Sequence, residues 1–485
     1  MMTKKIYMFT NHTVLNKVIF PDINISDINY SKEKIMAQTK TIATKNEGSY
    51  LISLTIIGIL FFIFGFVTWL NGSLMPFLQT ACELTPFQAS LVTLAFYIAY
   101  FVMALPSSFV LKKTGYKNGI FLGLVVMAIG ALMFIPAAYS RQFIVFLTGL
   151  FLLGTGLALL QTATNPFLTI IGPRESAAKR IAIMGICNKF AGFISPLVLT
   201  ALVMHGMEKF KAENLSVLSF DQKNILLNDF AARLVGPYTA MAVILVAFAF
   251  LIKYSPLPNE ISGIDDDEHE TLGGFIKQIP AALKIPHLAL GIATLFVYVG
   301  VEVMAGDSLT QFGRNLKLDY APWLTSYTMA FMVIGYITGI ILIPKYLKQA
   351  KALVISAILG LIFAVGACIS STTDNQIFIT LFGWLNNLPG FNIPLIPNAV
   401  FFVTLLGFAN AMMWPALWPL ALDSVGKYTK IASALLIMGI AGGAIIPPSY
   451  AKLGQSIGFQ SALWIMVPIY LFILYYATSG HKIRR

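Results

Sequence analysis

Charge is scarce in this chain. Lys, Arg, Asp and Glu make up 11% of its 485 residues, against about a quarter in average usage. Apolar residues make up 57%. Two to four soluble domains could not be coated from such a composition, and disorder is excluded by the same apolar surplus. Cysteine is nearly absent. Cys82, Cys187 and Cys368 stand far apart without a C-x-x-C pair, which excludes a disulfide framework and a zinc site. The five histidines (His12, His205, His269, His287 and His481) lie outside or at the edges of the apolar runs, and no H-E-x-x-H occurs. There is no G-x-x-x-x-G-K-[ST] either, so ATP does not drive the chain directly and enzymatic readings fare poorly. No cofactor is expected.

What the chain has is long apolar runs, and a bilayer is their natural place. With about 20 apolar residues as the unit, candidate spans cover 51–79, 87–111, 118–139, 142–171, 180–205 and 236–254, then 285–312, 320–344, 351–370, 395–423, 430–453 and 458–479. The expected fold is an all-α membrane protein with twelve transmembrane helices in two six-helix halves. The segments are a polar tail at 1–50, a first half at 51–254, a linker at 255–284, a second half at 285–479 and a short tail at 480–485. The polar tail does not read as a cleavable signal peptide, and Met36 opens a plausible shorter start. Within the linker, Asp265-Asp266-Asp267-Glu268 followed by Glu270 reads as a solvated connection. Residues 206–235 form a polar outer loop with no further signal.

The net charge of +12 invites a nucleic-acid partner, but its placement says otherwise. Of 33 Lys and Arg, 24 fall in segments on the side of both termini, 8 fall on the opposite side, and Lys189 lies within a span. Short cytoplasmic loops collect such residues, so both termini are expected in the cytoplasm. The basic excess reports topology, and no nucleic-acid partner is expected.

Internal repetition supports a 6+6 duplication. Spans 2 and 8 each end in a proline followed by lysines (Pro106 with Lys112 and Lys113; Pro344 with Lys345 and Lys348). Ile-Met-Gly-Ile occurs at 183–186 and again at 437–440. Asn71-Gly72-Ser73-Leu74 in span 1 echoes Gly306-Asp307-Ser308-Leu309 in span 7. Asn165-Pro166 is expected to break span 4, and Trp414-Pro415 with Trp418-Pro419 to break span 10. Gly119/Gly123, Gly335/Gly339 and Gly439/Gly443 have the spacing of close helix contacts.

Chemistry should lie in the polar residues inside the spans. Gln161 and Asn165 share one face of span 4, and Asn410, Trp414 and Trp418 form a similar stripe on span 10. Asn188 and Lys189 sit in span 5, and Asn71 in span 1. At ~1.5 Å per residue, Gln161, Asn188 and Asn410 fall within about 8 Å of mid-membrane. Carboxamides can donate and accept to adjacent hydroxyls of a polyol, and indole faces can cover the apolar side of a pyranose ring. A monosaccharide is the substrate these residues suit, with Gln161, Asn165, Asn188, Asn410, Trp414, Asn71 and Trp418 as candidate contacts. The same side chains could instead glue helices together.

Ionisable groups deep in a span are functional candidates, and only Lys189, Glu302 and Asp307 qualify. Glu302 is the favoured coupling group, its alternative being a buried pair with Lys189. Asp307 lies about five residues nearer the outer surface, where an interfacial aspartate is cheap. At ~100° per residue the two carboxylates point about 140° apart and should not share one ligand. Asp423, at the inner end of span 10, is expected to fix the loop to Lys427 or Lys430. Either carboxylate of span 7 could carry a proton, whereas sodium would want several oxygens.

The chain resembles the major facilitator superfamily, and within it the fucose/glucose/galactose symporter family. The resemblance rests on Gly65-Phe66-Val67-Thr68-Trp69-Leu70-Asn71-Gly72-Ser73-Leu74, Gln161-Thr162-Ala163-Thr164-Asn165-Pro166-Phe167 and Gly172-Pro173-Arg174-Glu175-Ser176. Further carriers are Asn188-Lys189, Tyr298 to Val303 with Ala305-Gly306-Asp307, Ile343-Pro344-Lys345 and Trp414-Pro415-Ala416-Leu417-Trp418-Pro419-Leu420. It runs from span 1 to span 12 and is nearest the glucose/galactose and N-acetylglucosamine branch. It implies a monomeric inner-membrane permease of bacterial type that imports a hexose with H+ or Na+ by alternating access. N-acetylglucosamine or fucose remain alternative substrates, and a non-transporting sugar sensor is the contrasting reading. Two departures matter. The fucose-proton branch carries a carboxylate in span 1 where this chain has Gly72, and Glu before Thr-Ala-x-Asn-Pro where this chain has Gln161. Coupling must then use Glu302, Asp307 or oxygen ligands not visible in the sequence.

Overall fold

The computed structural model describes residues 51–170, 177–210, 214–215, 217–257, 272–343, 346–388 and 393–484. The tail at 1–50, the acidic run of the linker, the Gly172–Ser176 motif and the Pro344-Lys345 pair of the second repeat lie outside them. Packing is described for Ile56–Arg485, which form one compact unit.

Helices dominate, and their bounds follow the apolar runs closely. They are α1 (Leu51–Ala81), α2 (Pro86–Thr114), α3 (Tyr116–Ser140), α4 (Phe143–Ile170), α5 (Ala177–Val203) and α6 (Val235–Tyr254). The second set is α7 (Pro286–Asn315), α8 (Ala321–Leu342), α9 (Gln349–Ile369), α10 (Asn398–Asn410 with Met413–Leu422), α11 (Ile431–Ile457) and α12 (Phe459–Lys482). Eleven are long and apolar enough to cross a bilayer, and α10 makes the twelfth when its two bent pieces count as one span.

Local sequence explains where helices start. Thr85 caps α2 by accepting from the Gln88 amide while the Gln88 side chain accepts from the Thr85 amide, and Pro86 follows as the first helical residue. Close helix contacts use small residues. A Cβ on Gly149 of α4 would lie 2.9 Å from the Gly130 carbonyl oxygen of α3, and one on Gly335 of α8 would lie 2.6 Å from Ala411 Cβ of α10. The first and second sets meet chiefly along α5 with α8 and α2 with α11.

Several expectations about the backbone need correcting. Asn165-Pro166 does not break α4, which runs on as helix to Ile170; one missing N–H is affordable where the flanking turns stay bonded. In α10 the break falls before the Trp-Pro pairs, between Asn410 and Met413, with a bend of 42°. Pro415 has no N–H to offer the carbonyl four residues back, at Ala411, which is where the chain turns. The linker is not wholly solvated, because Leu272–Leu283 is a helix whose Ile279 and Ala282 pack with Leu288, Val425 and Ile431. The 206–235 loop holds a helix at Phe220–Ala232, capped by Ser219 with Gln222. That capping box was readable in the sequence.

Candidate functional site

A buried tryptophan of α1 is held between two other helices. Trp69 lies between α5 and α7, where a Cβ on Gly192 or on Gly306 would each come within 2.5 Å of the indole. Only glycines leave room for it at that crossing. Its Nε1 donates to Asn188 Oδ1 at 3.4 Å, and Asn188 Nδ2 donates to the Phe61 carbonyl at 3.3 Å. Lys189 Nζ stands 4.3 Å from the Trp69 ring centroid and donates to Glu302 Oε1 at 2.7 Å. Both ionic residues are buried, at 8% and 6% exposure. α5 and α7 are thus joined by one ion pair capped by an indole face, an arrangement in which each charge needs the other.

Two of the remaining carboxamides are held by tyrosines. Gln161 Nε2 donates to the Tyr100 hydroxyl at 3.0 Å. Asn410 is fully buried, and its Oδ1 accepts from the Tyr470 hydroxyl at 2.9 Å, while its Nδ2 has no partner among the described residues. Trp414 and Trp418 lie ring to ring, with centroids 5.5 Å apart. Gln161, Asn165, Asn188, Trp414 and Trp418 are each only half-buried. Asn71 is buried, and its Nδ2 has no partner among the described residues. Trp69, Tyr100 and Tyr470 were missed by the sequence reading. Tyr and Trp count as apolar in composition, yet their polar atoms need partners when buried, and that was the available signal.

Asp307 is where expectation and structure part most. It is not an interfacial aspartate at a span end: its exposure is 0%, and neither carboxylate oxygen has a side-chain hydrogen-bond partner among the described residues. It lies in a π-helical turn, Met304–Ser308, that widens α7. Such turns are frequent at functional sites. The wider turn also frees carbonyls, and α8 takes them up: Thr325 Oγ1 donates to Gly306 O at 2.9 Å and Thr328 Oγ1 to Ala305 O at 3.0 Å.

One end of the helix set is shut. Arg314 of α7 donates to Pro76 O at 2.6 Å and to Thr80 Oγ1 at 3.3 Å, both on α1. Gln311 Nε2 donates to Pro86 O at 2.9 Å, and Ser73 Oγ to Pro322 O at 3.1 Å. At the opposite end Asp423 pairs with Arg484; the side chains of Lys427 and Lys430, expected to hold it, lie outside the described set. The Arg484 hydrogen bond holds the Asp423 carboxyl below the usual carboxylate range, helped by the Ser424 hydroxyl.

Comparison with known proteins decides the family. The Major Facilitator Superfamily model matches residues 57–434. The chain belongs to that superfamily.

Its members here include a glucose/galactose transporter of Brucella abortus biovar 1 (strain 9-941), 30% identical over 449 residues, covering 92% of this chain and 97% of the relative. The L-fucose-proton symporter of Escherichia coli (strain K12) is 28% identical over 433 residues, covering 87% and 92%. Among solved structures, the superfamily transporter FucP in its outward conformation matches with a TM-score of 0.68 at 25% identity, over 88% of this chain and 98% of that one. A major facilitator transporter is therefore a multi-pass membrane protein without an enzyme's chemistry, and the twelve helices of this chain are read as its spans.

Proposed function

We propose that this chain is a secondary active importer of a hexose, coupled to a cation gradient and working by alternating access. The observation that carries the reading is an asymmetry. The α1/α7 end is closed by hydrogen bonds between the two sets of helices, while the polar and aromatic stripe of α4 and α10 is half-buried: Gln161, Asn165, Trp414 and Trp418. A site of this kind reaches the substrate from one side at a time. Gln161 offers a carboxamide oriented by Tyr100, Asn188 one oriented by Trp69, and the two indoles an apolar face, which together suit a pyranose. Asn165, Asn410 and Asn71 are the further candidates for hydroxyl contacts. The relatives' names, glucose/galactose transporter and L-fucose-proton symporter, support a monosaccharide substrate and a proton as the coupled ion.

Both termini then lie in the cytoplasm, as the Lys/Arg bias requires, and the closed α1/α7 end faces outward. The protein acts as a monomer in a bacterial inner membrane, with each half moving against the other. Opening outward must break the Arg314, Gln311 and Ser73 contacts. Energy for accumulation enters through a carboxylate of α7, where Glu302 and Asp307 are the candidates and Lys189 is the partner cation.

The test is uptake of labelled glucose, galactose, fucose and N-acetylglucosamine into proteoliposomes, with pH and sodium gradients imposed separately. Accumulation of one hexose under one gradient is the expected result. Sugar binding without uptake under either gradient would make the protein a sensor and overturn the transporter reading.

A further inference from the structure

Gly72 and Asp307 occupy matching places in the two repeated segments, since Ser73-Leu74 and Ser308-Leu309 follow them in turn. In the structure these two places meet. A Cβ built on Gly72 would lie 3.1 Å from Asp307 Oδ1 and would collide with Thr325 Oγ1. The Gly72 backbone amide faces the carboxyl, so the bare α-carbon of α1 is what lets the side chain from α7 in. The carboxylate missing from span 1 is thus supplied by the equivalent position of the other repeat.

We infer that Asp307 is the proton-carrying group of this transporter, and that the Lys189–Glu302 pair is a fixed neutral bridge that positions it. This rests on the symport reading above and names the ion and the residue that reading leaves open. Three observations support it. Glu302 is already committed to an ammonium at 2.7 Å, whereas Asp307 faces the Gly72 backbone amide and has no side-chain partner among the described residues. Asp307 is wholly dry in a state whose α1/α7 end is closed. An ionised carboxylate buried without a paired cation is costly, and a carboxyl bearing its proton is much less so; occlusion and proton loading therefore go together.

The titratable groups that act on Asp307 are Tyr97 from α2, Lys189 from α5 and Glu302 from α7 itself. α8 meets the same turn with Thr325 and Thr328, both spent on backbone carbonyls. Sodium would have to share those carbonyls with the threonine hydroxyls, whereas a proton needs only the carboxylate. In the step itself, a proton from water on the open outer side forms an O–H bond with Asp307. The halves close over it, and the bond breaks to cytoplasmic water after inward opening.

The experiment uses the full chain in proteoliposomes and follows two readouts: gradient-driven accumulation, and sugar exchange at equal concentrations across pH 5–9. Wild type should accumulate hexose under a pH gradient, with exchange that depends on pH. Asp307→Asn should lose accumulation to the equilibrium level while its exchange becomes independent of pH. Lys189→Met/Glu302→Leu should keep the pH dependence of exchange whatever its rate, and Asp423→Asn, outside the spans, should accumulate normally. Should Asp307→Asn fail to fold, Asp307→Glu provides the readout, with a displaced pH profile expected. Accumulation persisting in Asp307→Asn, a pH profile unchanged in either Asp307 variant, or one flattened by the Lys189/Glu302 double variant would each overturn the assignment. Accumulation by wild type under sodium alone would overturn the proton. Absence of accumulation in wild type under any gradient would sink the parent reading itself, before any variant is compared.

Discussion

The ion pair between Lys189 and Glu302 should govern stability as much as mechanism. Its Nζ–Oε1 distance is 2.7 Å, both residues are under one-tenth exposed, and the Trp69 ring stands over the ammonium. Replacing Glu302 by Gln strips the anion but leaves the cation in place. Breaking a buried pair from one side costs about 3–5 kcal/mol, because the surviving charge is left uncompensated. The carboxamide keeps one acceptor oxygen, so about 3 kcal/mol is expected for Glu302→Gln. Lys189→Met should cost about as much, since it strands the carboxylate. Lys189→Met/Glu302→Leu removes both charges at similar volume and should return close to wild type. Unfolding in mixed micelles by detergent titration, run as a double-mutant cycle, measures this directly. A double variant that loses the sum of its singles, about 6 kcal/mol, would show that the two groups do not depend on each other, and the reasoning would fail.

Four further outcomes follow from single contacts. Tyr470→Phe leaves Asn410 Oδ1 without the hydroxyl at 2.9 Å and should cost about 1–3 kcal/mol of stability in the same titration. Gly72→Ala drives a methyl group into Thr325 and against Asp307; a loss of about 1–3 kcal/mol is expected, with Gly72→Ala/Thr325→Ala recovering part of it in a thermal melt. Gln161→Ala should weaken hexose binding by about one order of magnitude, read from the sugar dependence of exchange, if its carboxamide meets a sugar hydroxyl. The last concerns pH. Asp423 has its carboxyl lowered in the folded protein by Arg484, so the contribution of the pair is present above the ordinary carboxylate range and is lost as pH falls through the lowered value. The melting difference between wild type and Arg484→Ala should be small, because both partners are largely exposed, and should vanish in acid; a difference that grows in acid would contradict it.

Helix positions were legible because a bilayer imposes its thickness on every span. The apolar run proposed for span 9, 351–370, became Gln349–Ile369, and that for span 3, 118–139, became Tyr116–Ser140. Breaks were less legible. A proline marks where an N–H is missing, but it does not say whether the backbone yields there: α10 bends by 42° ahead of Pro415, while α4 continues as helix through Asn165-Pro166. The π turn at Met304–Ser308 left no periodic trace, since it depends on Thr325 and Thr328 reaching from α8 to satisfy the widened turn.

The sequence by itself determined the class of the molecule, the number of its spans and the short roll of polar groups inside them. Scarcity of charge made those groups conspicuous. Which of them are free to act was decided by tertiary structure alone. Glu302 and Asp307 are equally acidic on paper, five residues apart on one helix. Folding sets a lysine from α5 against the first and an unadorned glycine of α1 beside the second. Partnership is a property of distance between helices remote in the chain, and no spacing along one helix contains it.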